Sequence, residues 1–204
     1  MNSQVKIDLL QLDGEVRNAG YRVFCGVDEA GRGPLAGPVY AAAVVLPEGY
    51  CPVQLDDSKK LTEKKRAALF EELVEHARSY GIASASAEEI DTYNILNATF
   101  LAMNRAIAQL DMHIELALVD GNTVSGIQYP ARCFVGGDGR SAAIAAASIL
   151  AKVSRDRYMC AMAEQYPQYG FEKHKGYGTK LHYEALRAYG PSPLHRCTFL
   201  RKMH

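Results

Sequence analysis

The sequence predicts an α/β domain built on a mixed β-sheet, and three observations carry that reading. Short apolar runs of strand length alternate with longer stretches whose apolar residues recur at helical spacing. Gly- and Pro-rich turn signals punctuate the boundaries between them. Two of the strand-like runs stop on an aspartate, Asp28 and Asp120, and a third leads through two glycines to Asp138.

In chain order, residues 1–20 read as a short amphipathic helix ending near Gly20, an extension set apart from the main pattern at 21–204. Residues 23–27 and 39–46 are compact apolar runs that suit buried strands, stopping at Asp28 and Pro47. The segment between them, Gly-Arg-Gly-Pro-Leu-Ala-Gly, suits a connection whose backbone takes unusual angles. Leu69, Phe70, Leu73, Val74 and Ala77 follow helical spacing, and Gly81 is the predicted stop. A strand at 82–87 follows. Ser86 with Glu89 fits a capping box opening a helix through Leu96, Phe100, Leu101 and Ile107 to about Leu110. Strands at 115–119 and 132–135 come next, the second leading to Gly136, Gly137 and Asp138. An Ala-rich helix is predicted over 141–165, ended by Pro167, and a last one over 180–188, capped by Thr179 and closed by Gly190.

The chain has 204 residues with 23 basic and 23 acidic side chains, enough length for one well-filled core. The neutral sum excludes a uniformly basic coat or a polyacidic tail, but it hides two opposed parts. Residues 1–138 hold 12 basic and 19 acidic side chains, net −7, and residues 139–204 hold 11 and 4, net +7. Five scattered cysteines with no C-x-x-C pair argue against a disulfide framework or a zinc knuckle. Charges interrupt the N-terminal residues before a signal-peptide core could form, and the most apolar run, 142–151, is about half a membrane span. The expectation is a soluble cytoplasmic monomer with no membrane contact and no obligate protein partner.

Asp28, Glu29, Asp120 and Asp138 carry the functional argument. Ligands collect at the carboxyl ends of strands in open α/β sheets, and neighbouring strands lie only about 4.8 Å apart. Such a cluster repels itself unless a cation neutralises it, and an all-oxygen donor set without His or Cys suits Mg²⁺ or Mn²⁺. Two such ions can activate a water and stabilise the leaving oxygen of a phosphodiester. Acids at strand ends are also ordinary solvated turn residues, and the residues alone leave both readings open. Asp156, four residues after Lys152 on the long helix, reads as a local ion-pair partner.

Asp28-Glu29-Ala30-Gly31-Arg32-Gly33-Pro34-Leu35-Ala36-Gly37-Pro38 resembles the signature of ribonuclease HII, the type 2 ribonuclease H of bacteria. Further blocks match in the family's order: Asp57-Ser58-Lys59-Lys60-Leu61, Val119-Asp120-Gly121, Gly137-Asp138, and 146–153 continuing into Arg155-Asp156-Arg157. His174-Lys175-Gly176-Tyr177-Gly178-Thr179 and His195-Arg196 complete the series. The resemblance implies a ribonuclease H-like sheet flanked by helices with a helical C-terminal region, 139–204 forming a basic substrate-binding part of the catalytic domain. It implies an endonuclease that cuts RNA in RNA/DNA hybrids and nicks duplex DNA 5′ to an embedded ribonucleotide, as in ribonucleotide excision repair, leaving 3′-hydroxyl and 5′-phosphate ends. Asp28, Glu29, Asp120 and Asp138 correspond to the family's metal-binding acids, for Mg²⁺ or Mn²⁺. Gly31, Arg32 and Gly33 correspond to its 2′-hydroxyl sensor, and Tyr177 to the ring that stacks on the neighbouring sugar.

Lys59, Lys60, Lys152, Arg155, Lys175, Lys180 and Arg196 are candidate phosphate contacts, and Ser148 shares a helix face with Lys152. A solvated basic face is the plain alternative for several of them. His174 and His182 read as titratable near neutrality, with no catalytic role assigned. Two other functions stay open: a different acid-cluster nuclease or phosphotransferase of the same architecture, and a non-catalytic hybrid-binding module.

Overall fold

The computed structural model describes residues 2–52, 55 and 61–201, with side chains from Leu9 onward. Five strands form one mixed sheet in the order β3-β2-β1-β4-β5: β1 Phe24–Ala30, β2 Val39–Val45, β3 Ser79–Ala85, β4 Leu116–Asp120 and β5 Ala131–Phe134. β1 pairs antiparallel with β2 and parallel with β4, so it is the central strand on which both pairing modes meet. The helices are α1 Asn2–Asn18, α2 Glu63–His76, α3 Ala87–Ala108, α4 Ala142–Gln165, α5 Phe171–His174, α6 Lys180–Tyr189 and α7 Cys197–Leu200. α3 covers one face of the sheet and α4 the other, which buries both faces of β1, β2 and β4 and explains their near-continuous apolar runs, while the outer strands β3 and β5 are more open.

Helix α4 lies unusually close to β1, and Gly26 is the reason. A Cβ there would sit 2.0 Å from the Ala143 carbonyl carbon, inside α4's own backbone. The N-terminus of α4 is fixed twice: Ser141 caps it through the Ile144 amide, and Asp13 of α1 accepts from the Ser141 hydroxyl at 2.5 Å and the Ala143 amide at 3.3 Å. Leu9, Leu12 and Val16 bury the same helix α1 in the core.

Four expectations change. β1 runs through Asp28 and Glu29 because both pair with β2, opposite Ala42 and Ala41. α2 ends at His76, and Gly81 lies inside β3, where a Cβ would meet the Ala106 carbonyl oxygen at 2.1 Å. α3 is broken at Asn94 (φ 67°, ψ 165°), whose side chain accepts from the Leu96 and Asn97 amides and so restarts the helix. The short helices α5 and α7 carry no sequence periodicity long enough to announce them. Among the described residues, no disulfide forms and no helix is long and apolar enough to cross a membrane.

Candidate active site

The parallel register of β1 and β4 pairs Val27 with Val119, which brings Asp28 and Asp120 level on adjacent strands. Val27 and Val119 pack in the core on the α3 side, so strand alternation turns Asp28 and Asp120 to the α4 face. Asp28 is buried, accepting hydrogen bonds from the Glu29 amide at 2.7 Å and from Ser148 of α4. Asp138 is also buried, in the single 3₁₀ turn Gly137–Gly139 that precedes α4. The Gly137 amide donates to Asp120 Oδ1 at 2.8 Å and ties that turn to the end of β4.

The charges here are poorly compensated. Burial, then the neighbouring carboxylates of Glu29 and Asp120, hold Asp28 well above the usual carboxylate range. Glu29 is raised too, chiefly by burial; Arg32 at 3.5 Å offsets this and Asp120 adds to it. The backbone brings the acids together, yet among the described residues no three His, Cys, Asp or Glu side chains already form an ion-sized cage. Like charges without a cation have no reason to close on one another.

Beside the acids runs the glycine-rich segment, held from beneath by two buried arginines. Arg155 of α4 donates to the carbonyls of Pro38 (3.1 Å), Ala36 (3.2 Å) and Lys175 (3.0 Å). Arg196 donates to those of Gly37 (2.9 Å), Arg32 (2.9 Å) and Gly31 (2.6 Å). Gly31 has φ +96°, and a Cβ on it would lie 1.9 Å from Arg155 Nε, so glycine is demanded twice over. Tyr177 stands over this loop, 44% exposed, and a Cβ on Gly33 would be 3.8 Å from its Cε1. The Leu35 amide donates to the Gly176 carbonyl at 2.9 Å, stitching the two segments together.

These residues lie within a stretch that matches the family model "Ribonuclease HII" over residues 25–202. The chain belongs to the ribonuclease HII family. It is 51% identical over 193 residues to a ribonuclease HII of Caldicellulosiruptor bescii, covering 95% of this chain and 94% of the relative. It is 57% identical over 178 residues to one from a Marinomonas species, covering 87% and 89%. The crystal structure of ribonuclease H2 from Pyrococcus horikoshii is similar with TM-score 0.72 at 27% identity, over 87% of this chain and 93% of that one. Membership in the ribonuclease HII family makes the chain a nuclease, a hydrolase.

Among the described residues, the blocks around Asp28, Asp120 and Asp138 meet at the carboxyl ends of β1 and β4, but the basic residues divide. Arg155 and Arg196, expected at phosphates, are buried and their donors go to loop carbonyls, which corrects that reading. Lys152 pairs with Asp156 at 2.7 Å, the local ion pair expected of Asp156. Lys175 Nζ donates to the Glu172 carbonyl at 2.5 Å, and Lys180 is exposed near Glu184 at 3.9 Å. Arg32 is half-exposed. Lys59 and Lys60 lie outside the described residues. His174 and His182 are buried, and desolvation, the first cause, pushes both below the ordinary histidine range. Gly26, Asp13 and His195 escaped sequence reasoning as positioning groups. Only the Gly26 signal, a glycine inside an apolar strand run, was there to be read.

Proposed function

We propose that this ribonuclease HII cuts the RNA strand of RNA/DNA hybrids and nicks duplex DNA on the 5′ side of an embedded ribonucleotide, leaving 3′-hydroxyl and 5′-phosphate ends. The observation that carries the proposal is the buried, under-compensated Asp28 beside Glu29 and Asp120, next to a loop that exposes backbone to a sugar. Asp28, Glu29, Asp120 and Asp138 would hold the ions, with Asp28 as the carboxylate common to two, Glu29 and Asp120 serving one and Asp138 the other. Bound there, Mg²⁺ or Mn²⁺ supplies an activated water and stabilises the leaving oxygen. The donor set fits: hard oxygen ligands, partly buried, whose repulsion a divalent cation relieves.

The chain's own residues handle recognition. Only a 2′-hydroxyl separates the substrate from DNA, so donors and acceptors must approach one sugar closely. Gly31, Arg32 and Gly33 form the sensor: Gly33 is exposed and leaves that approach open, Gly31 seats the loop on Arg155, Arg32 offers a phosphate fork, and the exposed Tyr177 stacks on the adjoining deoxyribose. Ser148 orients Asp28, and Lys59, Lys152 and Lys175 serve the duplex backbone. Residues 139–204, net +7, act as the substrate-binding part of a catalytic domain that spans 21–204. A non-catalytic hybrid-binding module would gain nothing from negative charge placed beside phosphates. A labelled duplex carrying one ribonucleotide tests the proposal. Expected is a single nick 5′ to the ribonucleotide in Mg²⁺ or Mn²⁺ and none in EDTA; cleavage that persists in EDTA, or nicks elsewhere, overturns it.

A further inference from the structure

Beneath Tyr177 lie three buried histidines, His174, His182 and His195, that belong to no step above. The His174 and His182 rings stack with centroids 4.5 Å apart, and His182 Nε2 meets His195 Nε2 at 3.0 Å. Backbone groups determine where each proton sits. The Ser192 amide donates to His195 Nδ1 at 2.9 Å, which makes that nitrogen an acceptor and puts the His195 proton on Nε2. The Ser192 carbonyl, 3.3 Å from the same nitrogen, already accepts the His195 amide at 3.0 Å. His195 Nε2 therefore donates to His182 Nε2, leaving the His182 proton on Nδ1, from which it donates to the Tyr177 carbonyl at 2.9 Å. His174 follows the same rule separately: the Gly176 amide donates to Nδ1 at 3.2 Å, and Nε2 donates to the Tyr169 carbonyl at 2.8 Å.

The result is one directed chain, Ser192 amide to His195 to His182 to Tyr177 carbonyl, in which both rings are neutral and every ring nitrogen is used. Its environment keeps it so. Burial depresses all three imidazoles, and the charges acting on His182 and His195 come from the other histidines of the cluster, while Glu172 and Lys175 act on His174 with opposite signs. The two ends of the chain touch the two halves of the sugar-reading surface. His195 forms a β-bridge with Ala36 of the glycine-rich segment, Arg196 follows it onto the Gly31 and Arg32 carbonyls, and His182 holds the Tyr177 backbone.

We infer that His182 and His195 are positioning residues: their fixed-tautomer pair locks Tyr177 at a set height over the Gly31–Gly33 backbone, and so tunes selection of a single ribonucleotide. The inference rests on the reading of Tyr177 as the sugar plate, and the experiment separates the two.

The readout is the ratio of cleavage at a single ribonucleotide to cleavage of a continuous RNA/DNA hybrid by the full chain. His182→Asn places an amide N–H near Nδ1 and retains the bond to Tyr177, whereas His182→Gln reaches toward Nε2 and loses it. Expected is a ratio near wild type for His182→Asn and a fall of about tenfold for His182→Gln, the scale of one lost hydrogen bond. Tyr177→Ala should show the same fall, with no further loss in the Tyr177→Ala, His182→Gln double variant. Equal ratios for the folded Asn and Gln variants, alongside a lowered ratio for Tyr177→Ala, overturn the positioning role alone. An unchanged ratio for Tyr177→Ala overturns the reading of the plate, and the positioning role with it. Should the His182 variants fail to fold, nitrogen-15 NMR of the unsubstituted protein decides. Protons on His182 Nδ1 and His195 Nε2 are expected, and the opposite tautomer at either ring overturns the inference.

Discussion

The acid cluster and the proposed sugar-reading surface are neighbours built on opposite principles. At the acids, the fold gathers buried carboxylates and gives them little positive charge, so Asp28 and Glu29 are both harder to ionise than free carboxylates. At the neighbouring surface the buried polar groups are paired: two buried arginines spend their donors on five loop carbonyls and that of Lys175, and two imidazoles pass a single proton direction into the Tyr177 carbonyl. The acids are left wanting a cation, whereas the loop and the Tyr177 segment are already tied down by the protein's own donors.

The largest break in that contrast comes from Asp120→Asn. The amide keeps an acceptor for Gly137 but removes the charge that presses on Asp28 and Glu29. Cleavage should fall by more than the roughly 10–100-fold that losing a mere ligand-orienting partner costs a metal site, with stability unchanged or improved, as read by turnover and urea unfolding together. Arg196→Met should do the reverse kind of damage. It leaves three loop carbonyls without donors in a buried site and should cost about 3 kcal/mol of unfolding free energy, measured by denaturant titration. Tyr177→Ala comes next, lowering single-ribonucleotide cleavage by about tenfold, the lower end of a stacking contribution, while nonspecific DNA binding by gel shift changes less.

The pH dependence of stability sharpens the comparison further. His195 is held down to about 4 by burial, against an ordinary value of 6.5. Its contribution is complete above pH 6.5 and is lost as pH falls toward 4, because the unfolded chain takes up the proton first. Asp28 runs the other way: its raised value stabilises the folded state at low pH, and that contribution is lost as pH rises through its folded value. In EDTA, His195→Gln should flatten the acid-side loss between pH 6.5 and 4 and Asp28→Asn should steepen it. Unfolding midpoints across a pH series check both signs.

Much of this was legible in the sequence, for identifiable reasons. Apolar runs sandwiched between two helical layers announce themselves, and so did the capping box at Ser86 and the cap at Thr179. Asp28, Glu29, Asp120 and Asp138 stood out by position, at or just beyond the ends of strand-like apolar runs, and the parallel register of β1 with β4 brings Asp28 and Asp120 level. Strand ends were not: β1 extends past Val27 because β2 pairs with Asp28 and Glu29, a non-local fact. Arg155 and Arg196 misled because a guanidinium suits a phosphate and a ring of carbonyl oxygens equally well, and only burial distinguishes them. The histidine pair was unreadable because His182 and His195 are 13 positions apart and meet only through the packing of α6 against the C-terminal segment.

The contrast between the two regions stands or falls on Asp28. The most direct measurement is the melting temperature of wild type and Asp28→Asn in EDTA and in saturating Mg²⁺, with turnover on a single-ribonucleotide duplex recorded for the same samples. Expected are an Asp28→Asn protein that melts at or above wild type in EDTA, a wild type that gains stability from Mg²⁺ while the variant gains little, and cleavage lost only in the variant. An Asp28→Asn protein that melts well below wild type in EDTA, or that still turns over in Mg²⁺, would contradict the account.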